Sequence, residues 1–227
     1  MSELSGFMKN FISTERSKLK EMTAKEKADY IWEYYKIPII AAIVILFIIG
    51  SIINSVWINP PKKQYLQIVF LNNYVDETYT NSLRDKLEQA LMTPDERNTL
   101  QVLTTVVLFN TGEPQMDMAN TQKFAAMTAI GEIDLLVINR DELGSLVEQG
   151  ILLPLANVLP DNLLSKLSDK LMTAADENGM ESDYGINLNN NEVFEGFGLS
   201  AEGQCLTIIS TTKRLDNTRR AIEFIFS

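Results

Sequence analysis

The order of apolar and polar residues divides this chain into two parts. Residues 39–58 run for twenty positions without a charged side chain. At 1.5 Å per residue they make a helix of about 30 Å, the thickness of a bilayer's hydrocarbon layer. Tyr30, Trp32, Tyr34 and Tyr35 stand before this run and Trp57 near its end, where amphipathic rings favour headgroup depth. A cleaved signal peptide has a shorter apolar region, roughly 7–15 residues, followed by small residues at the cut. Here 36 residues precede position 37, and no Ala-x-Ala-like site follows. Residues 37–58 therefore read as one transmembrane helix, stopped by Pro60 and Pro61, because proline cannot continue the hydrogen-bond ladder.

Lys and Arg near the two ends give the expected direction. Lys18, Lys20, Lys25, Lys27 and Lys36 precede the span, and only Lys62 and Lys63 closely follow it, so the amino terminus is expected in the cytoplasm. The cytoplasmic juxtamembrane segment, 1–36, mixes seven basic with six acidic residues and spaces Phe7, Met8, Phe11, Ile12, Leu19 and Met22 at roughly helical intervals. An amphipathic helix at the inner leaflet is expected there. Residues 59–63 read as a linker, and 64–227 as an extracytoplasmic domain on the cell membrane, exposed to the outside or to a periplasm.

Beyond the linker, short runs rich in β-branched residues alternate with stretches of helical period, the pattern of strands covered by helices. Strands are expected at 65–71, 100–109 and 133–138, with a last one at 205–210. One or two more are expected within 184–197, interrupted by Asn189-Asn190-Asn191. Helices are expected at 76–91, with Tyr79, Leu83, Leu87 and Leu91 as the buried stripe, and at 118–130, 141–148, 163–174 and 217–226. In the last of these Ala221, Phe224 and Ile225 should face inward. Residues 176–183 read as a loop. The nearly continuous hydrophobicity of 133–138 places that strand centrally, covered on both faces. The fold class is α/β, a mainly parallel sheet flanked by helices, plus one transmembrane helix.

Charge and residue types then narrow the chemistry. Thirty acidic residues against twenty basic leave a net of −10, which argues against nucleic acid, since phosphate binding needs concentrated Lys and Arg. The chain has no histidine and one cysteine, Cys205. His-based acid–base catalysis, His-rich metal sites and intramolecular disulfides are excluded with them. Cys205 lies in the apolar run Cys205-Leu206-Thr207-Ile208-Ile209 and reads as a buried, inert thiol. No Asn-x-Ser/Thr sequon occurs, which suits a bacterial exterior.

Several pieces in order resemble the extracellular solute-binding proteins of ABC transporters, the type 2 periplasmic-binding-protein fold. They are Gly131-Glu132-Ile133-Asp134-Leu135-Leu136-Val137-Ile138, then Leu143, Leu146 and Gly150-Ile151-Leu152-Leu153-Pro154-Leu155, then Tyr184-Gly185-Ile186, and finally Leu206-Thr207-Ile208-Ile209 with Ala221, Phe224 and Ile225. In that family a strand carrying such an Asp leads to a short helix and a turn ending in Pro-Leu. The resemblance departs in one respect: the family's second lobe is inserted between the features found here at Pro160 and Tyr184, where only 23 residues lie. A lobe of ~50 residues or more does not fit. The resemblance thus implies a single lobe, without hinge closure around a solute.

In open α/β sheets ligands bind beyond the carboxyl ends of the strands. Those ends carry Asn72, Asn73 and Tyr74, then Asn110 and Thr111, then Asn139 and Arg140. Together they offer a neutral hydrogen-bonding rim for a small-molecule ligand, with Tyr74 as a stacking surface and Arg140 as an anion partner. Asn is equally a turn and capping residue. Asp134 joins the candidates because a carboxylate inside a central strand needs a partner or a cleft. The acidic pairs Asp76-Glu77, Asp95-Glu96 and Asp141-Glu142 each open an expected helix, where negative charge suits the dipole. Ser and Thr nucleophiles have no histidine, and neither Gly-x-Ser-x-Gly nor Ser-x-x-Lys occurs.

The expectation is a non-enzymatic, membrane-anchored recognition or accessory domain. Its partners would be the lipid bilayer and a membrane protein, such as an ABC transporter or another membrane complex. It would have no catalytic residue, metal or cofactor. Two alternatives stand beside it: a carboxylate-dependent hydrolase or transferase using Asp134, and a structural envelope protein that binds other proteins.

Overall fold

The computed structural model describes residues 22–58, 60–195 and 203–227, apart from the side chain of Ile31. Phe7, Met8, Phe11, Ile12 and Leu19 of the expected inner-leaflet helix lie outside the described residues, as do Asn59 and residues 196–202. The chain divides into two compact units, Met1–Pro61 and Lys62–Ser227.

In the first unit, helix α1 (Ala24–Ile53) begins where its capping residues put it. Thr23 accepts from the Glu26 amide, and the Glu26 carboxylate accepts from the Thr23 amide, a capping box satisfying two orphan donors. The helix thus starts thirteen residues before position 37. It passes through Pro38 and ends in a π-helical turn, Asn54–Ile58. Trp32–Ile58 is long and apolar enough to cross a membrane. Among the described residues its apolar side chains are open, with Ile43, Leu46 and Phe47 59, 67 and 79% exposed.

The second unit is a seven-stranded sheet with helices on both faces. Strand β1 (Lys63–Leu71) leads through helix α2 (Glu77–Leu91) and a short helix α3 (Glu96–Thr99) to strand β2 (Leu100–Val107). Helix α4 (Pro114–Ala129) returns to strand β3 (Leu135–Asn139), followed by a 3₁₀ turn (Arg140–Glu142), helix α5 (Leu143–Glu148), the two-residue strand β4 (Leu152–Leu153) and helix α6 (Asp161–Lys166). Strands β5 (Leu171–Ala175), β6 (Glu181–Asn187) and β7 (Gln204–Ile209) precede the closing helix α7 (Leu215–Ile225).

The strand order is β2-β1-β3-β7-β6-β5, with β4 also on β7. Parallel pairing is confined to β2-β1-β3. The β3-β7, β4-β7, β6-β7 and β5-β6 pairs are antiparallel, so the expected mainly parallel sheet is a mixed one. The reason is local. Residues 167–175 do not complete the expected helix 163–174: α6 stops at Lys166, and Leu171–Ala175 pair instead with Glu181–Asn187 in a hairpin. The Asp176 carboxylate closes that turn by accepting from the amides of Asn178 and Met180. The expected loop 176–183 therefore loses its last three residues to β6.

The period-2 alternation of the strands feeds two cores. Leu66, Ile68 and Phe70 of β1 with Leu135 and Val137 of β3 face α2 and α7, while Val69, Leu71, Leu136 and Ile138 face α4 and α5. Leu135 to Ile138 are wholly buried between β1 and β7, as a central strand requires. Two expected stripes shift by one residue. Thr80 rather than Tyr79 joins Leu83, Leu87 and Leu91 inside α2. Ile222 joins Ala221 and Ile225 inside α7, where Phe224 is only partly buried. Helix α4 starts at Pro114, four residues before position 118, because proline suits the first helical position.

Candidate functional site

The order of strand addition switches between β1 and β3, which are parallel: β1 continues into α2 on one face, whereas β3 continues into α5 on the other. Such a switch opens a crevice at the carboxyl ends of the two strands. Asn72 and Asn73 leave β1 there, and Asn139 leaves β3.

Asn72 takes a left-handed backbone, φ 53°, which asparagine tolerates better than most residues. Its amide donates to Val107 O at 2.8 Å, its Oδ1 accepts from Phe109 N at 2.7 Å, and its Nδ2 donates to Glu142 Oε1. Glu142 Oε2 accepts from Asn139 N at 3.1 Å, closing a capping box on the turn after β3. Asn73 is buried; its Nδ2 donates to Leu71 O at 2.7 Å and its Oδ1 accepts from Gln204 Nε2 at 2.8 Å. The crevice at the switch is thus crossed by the protein's own hydrogen bonds, joining the ends of β1, β2, β3 and β7.

The other rim candidates are more open. Tyr74 is 75% exposed. Asn110 adopts φ 58° in an exposed turn, and Thr111 pairs through its amide and hydroxyl with Asp117 Oδ1 at 2.8 and 2.7 Å, ordering the entry to α4. Arg140 is exposed and lines a shallow hollow with Asn139, Asp141 and Gly203; its amide donates to Gly203 O. Glu142 and Gln204 were not among the expected site residues, although the Asn139-x-x-Glu142 spacing is that of a capping box.

Asp134 stands apart from the rim, just before β3 and at the opposite end of that strand from Asn139. It is wholly buried. Its Oδ2 accepts from Gln67 N at 2.8 Å and Arg214 Nε at 2.9 Å, and its Oδ1 from Thr212 Oγ1 at 2.5 Å. The Arg214 guanidinium also donates to the carbonyls of Gly131 and Glu132 at 3.1 and 2.6 Å. Burial pushes the Asp134 carboxyl above its ordinary value, while Arg214, Thr212 and the Gln67 amide pull it back. The side chain thus ties the loop before β3 to the loop before α7, and no open face is left for acid–base work. Its partner lies 80 positions away, a pairing that no local pattern signals.

Gly131 shows how closely those loops approach. Its φ is 68°, and an added Cβ would lie 2.6 Å from the Thr211 carbonyl oxygen. Burial pushes the Cys205 thiol up to about 12, which keeps it protonated and unreactive. Among the described residues no group of His, Cys, Asp and Glu side chains is arranged to hold a metal ion.

No family model matches the chain, and no curated protein matches it. The solved structures with which it shares partial likeness are solute-binding proteins. An extracellular solute-binding protein family 1 structure from Alicyclobacillus acidocaldarius matches 56% of this chain at 17% identity and TM-score 0.32. MalX from Streptococcus pneumoniae, in complex with maltopentaose, matches 53% at 18% identity and TM-score 0.26. The chain spans 28% and 27% of these two proteins. The substrate binding domain of a putative molybdenum ABC transporter from Clostridium difficile matches 73% of this chain and is itself covered over 93%, at 14% identity and TM-score 0.34.

Proposed function

We propose that this chain is a membrane-anchored, extracytoplasmic recognition or accessory domain without enzymatic activity. The observation that carries this reading is α1. Its apolar side chains are exposed within the folded chain, and leaving some twenty of them in water is strongly unfavourable at ~25 cal/mol per Å² of apolar surface. Lipid is the cover that suits a run of this length. The excess of Lys on its amino-terminal side supports an orientation with the second unit outside the cell. We place the segment boundaries at 1–36, 37–58, 59–63 and 64–227; the capping box at Thr23 lets the helix itself project below the span.

The non-enzymatic part of the reading is supported by the buried polar groups. Asp134, the carboxylate just before central strand β3, is paired and enclosed, and Asn72, Asn73 and Glu142 hold loops together. A domain of this kind acts by binding, either a small molecule or a membrane-protein partner such as a transporter. Protease added to right-side-out vesicles tests the topology: the second unit is digested if the reading holds, and its protection there overturns it. Crosslinking the full chain in its native membrane tests the role. A reproducible membrane-protein partner is expected, whereas turnover of a substrate by the isolated chain would favour an enzyme.

A further inference from the structure

Away from the crevice, α4 and α5 leave an open groove between them on the face of the second core, with a volume of about 780 Å³. Its floor is apolar: Leu71, Phe109, Phe124, Leu146 and Ile151, with Ala125 and Ala129 along the α4 side. Ala125, Ala129 and the neighbouring Ile130 are exposed, so α4 turns small and apolar residues toward water beside Thr121 and Thr128 on this side. A soluble face is normally polar, and an apolar hollow of this size is of the volume that small-molecule sites have, ~300–1,000 Å³.

The walls carry the second observation. Among the described residues the charged side chains that line the groove are Asp141 and Glu142, and none is a Lys or Arg. Arg140 belongs to the neighbouring hollow with Asn139 and Gly203. Glu142 is held by Asn72 and Asn139, but Asp141 makes no hydrogen bond or ion pair among the described residues. The remaining wall groups, Thr121, Thr128, Ser145 and Gln149, include three hydroxyls, and the Thr128 hydroxyl is buried without a partner. Fixed negative charge beside an apolar floor disfavours anionic amphiphiles and favours cations, and the net charge of −10 works in the same direction.

Length argues for a small molecule over a partner helix. Helix α5 has six residues, so the wall it provides is about 9 Å long, less than two helical turns. A docked amphipathic helix anchors through positions spread over two turns or more.

We propose that the groove between α4 and α5 binds an apolar organic cation, its hydrocarbon part against Phe109, Phe124 and Leu146 and its charge beside Asp141. This deepens the recognition role proposed above and rests on it for biological meaning. The groove's binding is read independently of topology.

The test uses the full chain in lipid nanodiscs with methyl-labelled Leu and Ile, titrated with octyltrimethylammonium, octyl sulfate and octanol. Groove methyls of Leu146 and Ile151 should shift saturably with the cation, while those of Leu83 and Ile222 in the opposite core stay still, which separates binding from partition into lipid. The cation should bind about fivefold or more tightly than octanol, and octyl sulfate more weakly still. Asp141→Asn, which removes an exposed carboxylate without a partner, should weaken the cation about three- to fivefold, the scale of an exposed ion pair, and leave thermal unfolding unchanged. Ala125→Trp, which fills the groove from its α4 wall, should abolish the shifts. Equal affinity for the three probes, or no effect of Asp141→Asn, overturns the charge assignment. Absence of any saturable shift overturns the site. Groove shifts that appear on raising protein concentration without a probe would show a second copy in the groove and overturn it equally. None of these results alters vesicle protection, so failure here leaves the topology reading to stand or fall by its own experiment.

Discussion

Helix α1 and strand β3 are built from the same kinds of residue and end in opposite surroundings. In β3, Leu135, Leu136, Val137 and Ile138 are wholly buried, with β1 and β7 beside them and helices on both faces. In α1, Ile43, Leu46 and Phe47 are more than half exposed. A run of Leu, Ile and Val therefore does not state where it is buried; its length and the elements beside it do. Five residues at strand spacing fit within a sheet, whereas twenty at helical spacing match a bilayer.

The largest expected effects sharpen the protein-buried side of this contrast. Arg214→Met leaves the enclosed Asp134 carboxyl without its cation, at a cost of about 3–5 kcal/mol at neutral pH. The pH dependence has a definite sign. Asp134 already holds its proton more tightly folded than unfolded, so its contribution to stability is greatest at low pH and falls as pH rises through the raised folded value. Removing the guanidinium raises that value further. Urea melts at pH 5 and pH 7.5 should then show a larger loss for the variant at the higher pH.

Leu136→Ala, in the wholly buried strand, should cost about 2–5 kcal/mol by the same melts. Leu46→Ala should leave the unfolding of the second unit unchanged, and an equal loss from both would break the comparison by showing α1 packed on protein. Gly131→Ala adds ~1–2 kcal/mol for a left-handed backbone alone, and more for the contact with Thr211 O, because a carbonyl held in the backbone cannot swing aside. The smallest effect on stability comes from leaving Cys205 as it is. With its thiol near 12, it should present roughly a thousandfold less thiolate at pH 8 than an ordinary thiol near 8.5. A cysteine-selective reagent should label it only as the domain unfolds.

What the sequence made legible follows the range of the interactions. The strands at 65–71, 133–138 and 205–210 and the helix at 76–91 could be read because alternation and heptad-like spacing are local. The hairpin of β5 and β6 could not, because Leu163, Leu164, Leu167 and Leu171 repeat as a helix would, and only pairing with Glu181–Asn187 draws 171–175 into a strand. The rim was legible as asparagines at strand ends. Their use was not, since Glu142 and Gln204 reach Asn72 and Asn73 across 70 and 131 positions. Asp134 announced that it needed a partner, and Arg214 was beyond any local pattern.

Where the second unit lies can be tested directly by thiol labelling. Tyr74 is 75% exposed, and Cys205 is enclosed, so Tyr74→Cys places one reactive thiol on an otherwise silent chain. A membrane-impermeant maleimide applied to intact cells, or to spheroplasts if an outer membrane is present, should label this variant fully without lysis. Labelling that appears only after the membrane is opened would put the acidic domain in the cytosol and contradict the account.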